Sequence, residues 1–144
     1  MVVAPHPDDE TLGCGGTLLR HKQEGDEIHW LIMTSMDHKS GFSSERIVQR
    51  DKEIKIASTI YGFESVSRLD FLTIELDTYS TKDLIGKISE CFQKIEPEII
   101  YVPFRNDIHS DHKIVFDSVA SCTKQFRYPF IKKIRAYETL SETE

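Results

Sequence analysis

The chain has 144 residues, 39% of them hydrophobic and 29% charged, with a formal net charge of -6. That is enough for the core of one domain, but it includes neither the ~20-residue apolar run of a membrane span nor the clustered Lys/Arg footprint of a nucleic-acid binder. Its three cysteines, Cys14, Cys91 and Cys122, form no C-x-x-C pair, which suits a reducing, cytoplasmic setting and reads them as small apolar core residues.

From the amino terminus, Val2–Ala4 is a short apolar run ended by Pro5 and Pro7. The spacing then predicts a helix over residues 9–24, with Leu12, Leu18 and Leu19 on one side and Gly25-Asp26 as its stop. Gly13, Gly15 and Gly16 weaken this helix, so they point to close packing. Residues 28–33 read as a second strand, and the Ser, Asp and Gly content of residues 34–44 marks a functional loop. A helix over Ser44–Tyr61 carries Ile47, Ile54, Ala57 and Tyr61 on one face and stops at Gly62. Residues 66–72 form a short strand with poor alternation. Residues 81–96 are the clearest helix, since Leu84, Ile88, Phe92 and Ile95 recur at helical spacing before Pro97. Residues 99–102 are a strand of buried type, and after the loop 103–111 a helix runs through Lys124 with Ile114, Val115 and Val119. Residues 134–137 close the series. Strand and helix alternate with crossovers long enough for parallel pairing, which predicts an open, mainly parallel α/β sheet with helices on both faces.

Two loops concentrate the chemistry: Pro5-His6-Pro7-Asp8-Asp9-Glu10 and Asn106-Asp107-Ile108-His109-Ser110-Asp111-His112. Each follows a predicted strand and opens a predicted helix. Ligands of open α/β sheets collect at the carboxyl ends of strands where the strand order reverses, so neighbouring strands there would set the two loops face to face. Zinc takes imidazole nitrogen and carboxylate oxygen, and a catalytic site supplies three protein ligands with one position left open. His6, Asp9 and His112 provide that set, and iron(II) or another divalent metal suits the same donors. Pro5 and Pro7 restrict the backbone around His6. Asp8 is the spare carboxylate beside the set, suited to act as general base. His109, held cationic by Asp111 or Asp107, is suited to stabilise an oxyanion or to protonate a leaving amine.

Ala4-Pro5-His6-Pro7-Asp8-Asp9-Glu10 together with His109-Ser110-Asp111-His112 resembles the paired signature of the PIG-L/LmbE deacetylase family. The resemblance implies a Rossmann-like fold, a catalytic zinc, and hydrolysis of the N-acetyl group of an N-acetylglucosamine-type substrate to acetate and an amine. It gives His6, Asp9 and His112 as metal ligands, Asp8 as general base and His109 as the oxyanion-side histidine. It also likens Arg50, in Arg50-Asp51-Lys52-Glu53, to a substrate-holding arginine. Two departures stand out. Where some members carry a tyrosine that assists the tetrahedral intermediate, this chain has Asp107, with Arg105 as the electrostatic substitute. Family chains also commonly continue with further strands and a helix that help to enclose the substrate. Residues 1–144 are accordingly expected to be one deacetylase-type domain, clipped at the N-terminus and lacking a C-terminal portion.

Blander readings compete with each feature. Asp8, Asp9 and Glu10 suit a helix dipole by themselves, and His109 with His112 suits a polar helix start. Recurrence at two strand ends is what favours a metal. Gly13-Cys14-Gly15-Gly16 lacks the G-x-G-x-x-G spacing of a nucleotide loop. His21, His29 and His38 read as structural, although the loop that holds Asp37 and His38 borders the expected crevice, where both could touch substrate. The expected partner is a small acetamido-sugar or its conjugate, in a chain open to homo-oligomerisation. The rival functions are hydrolysis of another amide, and a metal-stabilised sugar-binding module without turnover.

Overall fold

A computed structural model describes residues 1–139. Its strands are β1 (Val2–Ala4), β2 (His29–Ser35), β3 (Ser65–Leu72), β4 (Ile99–Pro103) and β5 (Lys133–Tyr137). They form one sheet in the order β3-β2-β1-β4-β5, and every pairing is parallel. The chain steps outward from β1 to β3, then returns to the other side of β1 for β4 and β5. Val2 pairs with Trp30 on one side and with Tyr101 on the other. The loops leaving β1 and β4 are therefore neighbours at the point where strand order reverses, which is where open α/β sheets hold their ligands.

The helices α1 (Asp9–Gln23), α2 (Ser44–Tyr61), α3 (Thr81–Ile95) and α4 (Ser110–Ser121) cover both faces. Side chains alternate along each strand. Val3, Leu31, Met33, Ile100 and Val102 pack with Leu84, Ile88, Phe92, Val115 and Val119, whereas Val2, Ala4, Trp30, Ile32 and Tyr101 pack with Cys14, Leu18, Ile54 and Tyr61. Burial from both sides explains why β2 and β4 read as continuous apolar runs. Helix ends follow local chemistry: the Ser43 side chain accepts the Arg46 N–H at the start of α2, and Gly62 takes φ 67° at its end. Among the described residues no helix is long and apolar enough to cross a membrane.

Several local expectations are corrected. Leu12, Leu18 and Leu19 do not share a face: Leu18 is 2% exposed, whereas Leu12 and Leu19 are 53% and 42% exposed. The six residues from Leu12 to Leu18 make about 1.7 turns, so the two side chains point well apart. Small residues make the close contacts of α1 instead. A Cβ at Gly13 would lie 2.1 Å from the Tyr137 ring and one at Gly15 2.5 Å from the Tyr61 hydroxyl, while Gly16 meets nothing. The helix is also kinked at Cys14, whose φ is -145°. The poor alternation of β3 has a cause in a register shift opposite Ile32 and Thr34, with Asp70 at φ 55°. β2 runs to Ser35 and α4 stops at Ser121. A 3₁₀ turn over Leu76–Thr78 has no counterpart in the sequence reading.

Candidate metal centre and active site

The loop after β1 is held by its own backbone and by β2. Thr34 donates from both its N–H and its hydroxyl to the Pro5 carbonyl, at 3.1 and 2.7 Å. The Glu10 carboxylate accepts the Asp8 N–H at 3.0 Å and the Thr11 hydroxyl at 2.6 Å. Glu10 is buried, and that burial raises its pKa to about 7. These contacts leave the His6, Asp8 and Asp9 side chains to project at the carboxyl end of the sheet. Across from them, His109 caps α4: its Nδ1 accepts the Asp111 N–H at 3.1 Å.

His6, Asp9 and His112 each place one donor atom within 4.8 Å of the others. His112 Nδ1 meets Asp107 Oδ2 at 2.9 Å, and His6 Nε2 meets Asp111 Oδ2 at 3.0 Å. A carboxylate only accepts, so the nitrogen facing it carries a proton, and in the neutral ring the other nitrogen has its lone pair inward. Those inward atoms, His6 Nδ1 and His112 Nε2, lie 3.4 and 3.3 Å from Asp9 Oδ2. Ligands on ~2.0–2.1 Å bonds around a tetrahedral ion sit about 3.3–3.4 Å apart. His112 Nε2 is fully buried and has no hydrogen-bond partner despite its closeness to Asp9. An orphaned buried nitrogen is costly in a chain with nothing to bind there, and a divalent cation would satisfy it. The donors fit such a group.

The charges are interlocked. Burial opposes the negative charge of Asp9, yet the His112 and His6 imidazoles hold its carboxyl below the usual range. Burial likewise opposes a proton on His6, but hydrogen bonds to Asp111 and Asp9 outweigh it and raise the pKa to about 9. Partial burial and the Asp9 charge push the Asp8 carboxyl up, against the pull of Arg50. Asp8 is thus a carboxylate more basic than usual, half exposed and next to the candidate donors His6 and Asp9.

The other sequence-derived residues divide. Arg50 reaches the crevice from α2, where its Nη1 donates to the Pro7 carbonyl at 2.6 Å and lies 3.4 Å from Asp8 Oδ2. Its guanidinium braces the loop as well as facing the opening. Arg105 does not join them; it is 60% exposed at its side chain and pairs with Asp117 at 3.0 Å. Asp107 cannot stand in for a crevice tyrosine, because its buried carboxylate is turned onto His112 Nδ1 and the His109 N–H. The Asp111 carboxylate hydrogen-bonds His6 and lies close enough to His109 for the two to interact electrostatically. The His109 Nδ1 accepts a backbone N–H, so the ring presents Nε2–H as its donor. In the loop after β2, Asp37 is spent on the Lys39 and Ser40 N–H groups and His38 on the Phe42 carbonyl. The wall of the crevice is made there by Met36 and Phe42, with Ile74 opposite, around a cavity of about 230 Å³.

The sequence profile of PIG-L, described as GlcNAc-PI de-N-acetylase, matches residues 1–123. The chain belongs to the PIG-L family. Diacetylchitobiose deacetylase of Thermococcus kodakarensis is 30% identical over 120 residues, covering 78% of this chain and 44% of that protein. The protein named probable N-acetyl-alpha-D-glucosaminyl L-malate deacetylase 2 of Bacillus anthracis is 24% identical over 128 residues, covering 83% of this chain and 57% of that one. This PIG-L member thus spans about half the length of these curated relatives. Among solved structures, a conserved protein of Thermus thermophilus superposes with a TM-score of 0.79 at 29% identity, over 95% of this chain and 64% of that one.

Three sets of contacts in this PIG-L chain go beyond the expectations from its sequence, although Asp111 and Asp107 were themselves among the residues named. The carboxylates of Asp111 and Asp107 orient His6 and His112, Glu10 anchors the Asp8 backbone, and the N–H groups of Ile74 and Leu76 donate to Asp111 at 2.9 and 3.4 Å. Asp107 and Asp111 stand out in the second loop, but the sequence does not say which ring each serves. Nothing in the sequence marks the backbone donors.

Proposed function

We propose that this chain is a metal-dependent hydrolase that removes the N-acetyl group from an acetamido-sugar of N-acetylglucosamine type, with His6, Asp9 and His112 as the metal ligands and zinc as the expected ion. The observation that carries the reading is the inward-facing donor set, with the buried, unpartnered His112 Nε2, beside the raised carboxyl of Asp8. When bound, a divalent ion supplies Lewis acidity toward the acetamide carbonyl and lowers the pKa of water at the same place.

The chain's own residues do the rest. Asp111 and Asp107 fix the two imidazole tautomers, so both inward nitrogens are available as ligands. Asp8 takes the proton of the attacking water, a task suited to a carboxylate whose pKa lies above its usual value. His109 presents Nε2–H where negative charge develops on the acetamide oxygen, and can pass that proton to the nitrogen as the C–N bond breaks. Arg50 holds the Pro7 carbonyl, keeping Asp8 in place, and offers its charge to sugar hydroxyls at the opening. The relatives named as sugar deacetylases support the substrate class.

The test is acetate release from N-acetylglucosamine and a panel of its conjugates, with protein of measured metal content. We expect release that depends on metal, and a drop of about 10²–10⁴-fold in the Asp8→Asn variant with metal content unchanged. Full metal occupancy without acetate from any conjugate would overturn the reading.

A further inference from the structure

The segment after β3 touches the candidate centre without giving it a ligating side chain. Ile74 sits there at φ 65°, a left-handed backbone that a β-branched residue adopts only against steric resistance. Its side chain does not compensate by burial, for it is 66% exposed. What the conformation achieves is the direction of an N–H. Ile74 donates at 2.9 Å to Asp111 Oδ2, the same oxygen that receives His6 Nε2 at 3.0 Å. Two residues on, the Leu76 N–H approaches the other oxygen at 3.4 Å, and the Leu76 side chain is fully buried, which roots the segment in the core. The Thr73 N–H is tied to the Ser35 carbonyl on β2 at 3.3 Å. Asp111 is thus clamped between a rooted strip of backbone and the ring of His6.

We propose that Ile74 is a positioning residue for the metal centre: its left-handed backbone aims an N–H at Asp111 and thereby sets the plane of the His6 ring. The inference deepens the metal reading of His6, although the contact itself belongs to the metal-free chain. The backbone carries the role and the side chain does not. Glycine and asparagine, which tolerate the left-handed region, preserve it; proline, with φ near -65° and no N–H, abolishes it. A role for the isoleucine side chain, which lines the crevice, makes the opposite forecast for glycine.

The experiment compares Ile74→Gly, Ile74→Asn and Ile74→Pro in the full chain. The His6 Nε2–H resonance is read by NMR without metal, zinc affinity by competition with a chromophoric chelator, and folding by thermal melts. Glycine and asparagine should leave the resonance in place, hold zinc affinity within about twofold, and melt at or above the wild-type temperature. Proline should displace the resonance and weaken zinc by about 10–100-fold, the scale of losing an outer support of a ligand. Should the proline variant not fold, slow hydrogen exchange at the Ile74 amide together with the glycine result decides the matter. A tenfold loss of zinc in Ile74→Gly, or a fast-exchanging Ile74 amide, would overturn the proposal. Wild-type protein that binds no zinc would sink the metal reading instead, and the His6 resonance would still decide the role of Ile74.

Discussion

Among the described residues three groups bring histidine and acidic side chains within 4.8 Å; two share His6 at the carboxyl ends of the strands, and the third, at the amino ends, is built in the opposite way. At the carboxyl ends of the strands, His6, Asp9 and His112 are largely buried. The outer nitrogen of each imidazole is bound to a carboxylate, and the inner nitrogen is left facing Asp9. At the amino ends, beside a cavity of about 260 Å³, stand His21, Glu24 and Asp26. There both ring nitrogens of His21 are taken, by Asp26 at 2.6 Å and by the Tyr101 hydroxyl at 2.8 Å, and Glu24 is paired with Arg20 at 2.6 Å. A count of ligand types cannot separate the clusters; the donors the protein leaves unsatisfied can.

The sharpest way to break this contrast is to remove one histidine from each end. His112→Ala should abolish measurable zinc binding, whereas His21→Ala should leave it unchanged, as read by chelator competition and metal analysis. Equal losses would mean that the amino-end cluster binds the ion. A smaller effect comes from the supporting carboxylates. In Asp107→Asn the amide can still accept the His109 N–H, but its NH₂ group cannot accept from His112 Nδ1. The ring is then driven to the tautomer with its proton on the inward Nε2, and zinc affinity should fall about 10–100-fold with little change in melting temperature of the metal-free chain. Asp26→Asn makes the same change beside His21 and should do nothing to zinc.

The same contrast marks what the sequence can and cannot tell. Strand and helix order was legible because both faces of the sheet are covered, so the period and length of the apolar runs carry the fold. The adjacency of the two loops followed from the reversal of strand order at β1. His6, Asp9 and His112 were legible as ligand types placed at strand ends, and they do converge. Which carboxylate serves which imidazole was not. Asp107 and Asp111 lie two residues to either side of His109, and only the turn of the chain into α4 sends them to His112 and His6 instead. Arg105 was read from its charge alone, and in the loop before α4 it is exposed and paired with Asp117. The 73–76 segment is the least legible part. Its contribution is made by backbone N–H groups, and an isoleucine at positive φ is the last residue propensity would choose.

The weakest effect reads the protons of the two imidazoles, His6 above all, since against its burial Asp9 and Asp107 raise the pKa of His112 in the same direction. In the metal-free chain the His6 imidazole keeps its proton up to about pH 9, against an ordinary value of 6.5, since hydrogen bonds to Asp111 and Asp9 overcome its burial. Folded chain then holds a proton that unfolded chain has already released, so this contribution to stability is complete below about pH 6.5 and is lost as pH rises toward 9. Glu10 acts with the same sign from 4.5 to about 7, because burial favours its neutral form, but it is no ligand and contributes alike with and without the ion. Binding a cation requires the inward nitrogen of His6 to be free of its proton, so stabilisation by the metal grows over the window in which the metal-free chain weakens. The melting temperatures of zinc-loaded and metal-free protein should therefore draw apart between about pH 6.5 and 9, by a few degrees, and His21→Gln should leave that divergence intact. A gap that stays constant across the window would remove both imidazoles from the ligand set, and one that His21→Gln flattens would move the proton linkage to the other end of the sheet.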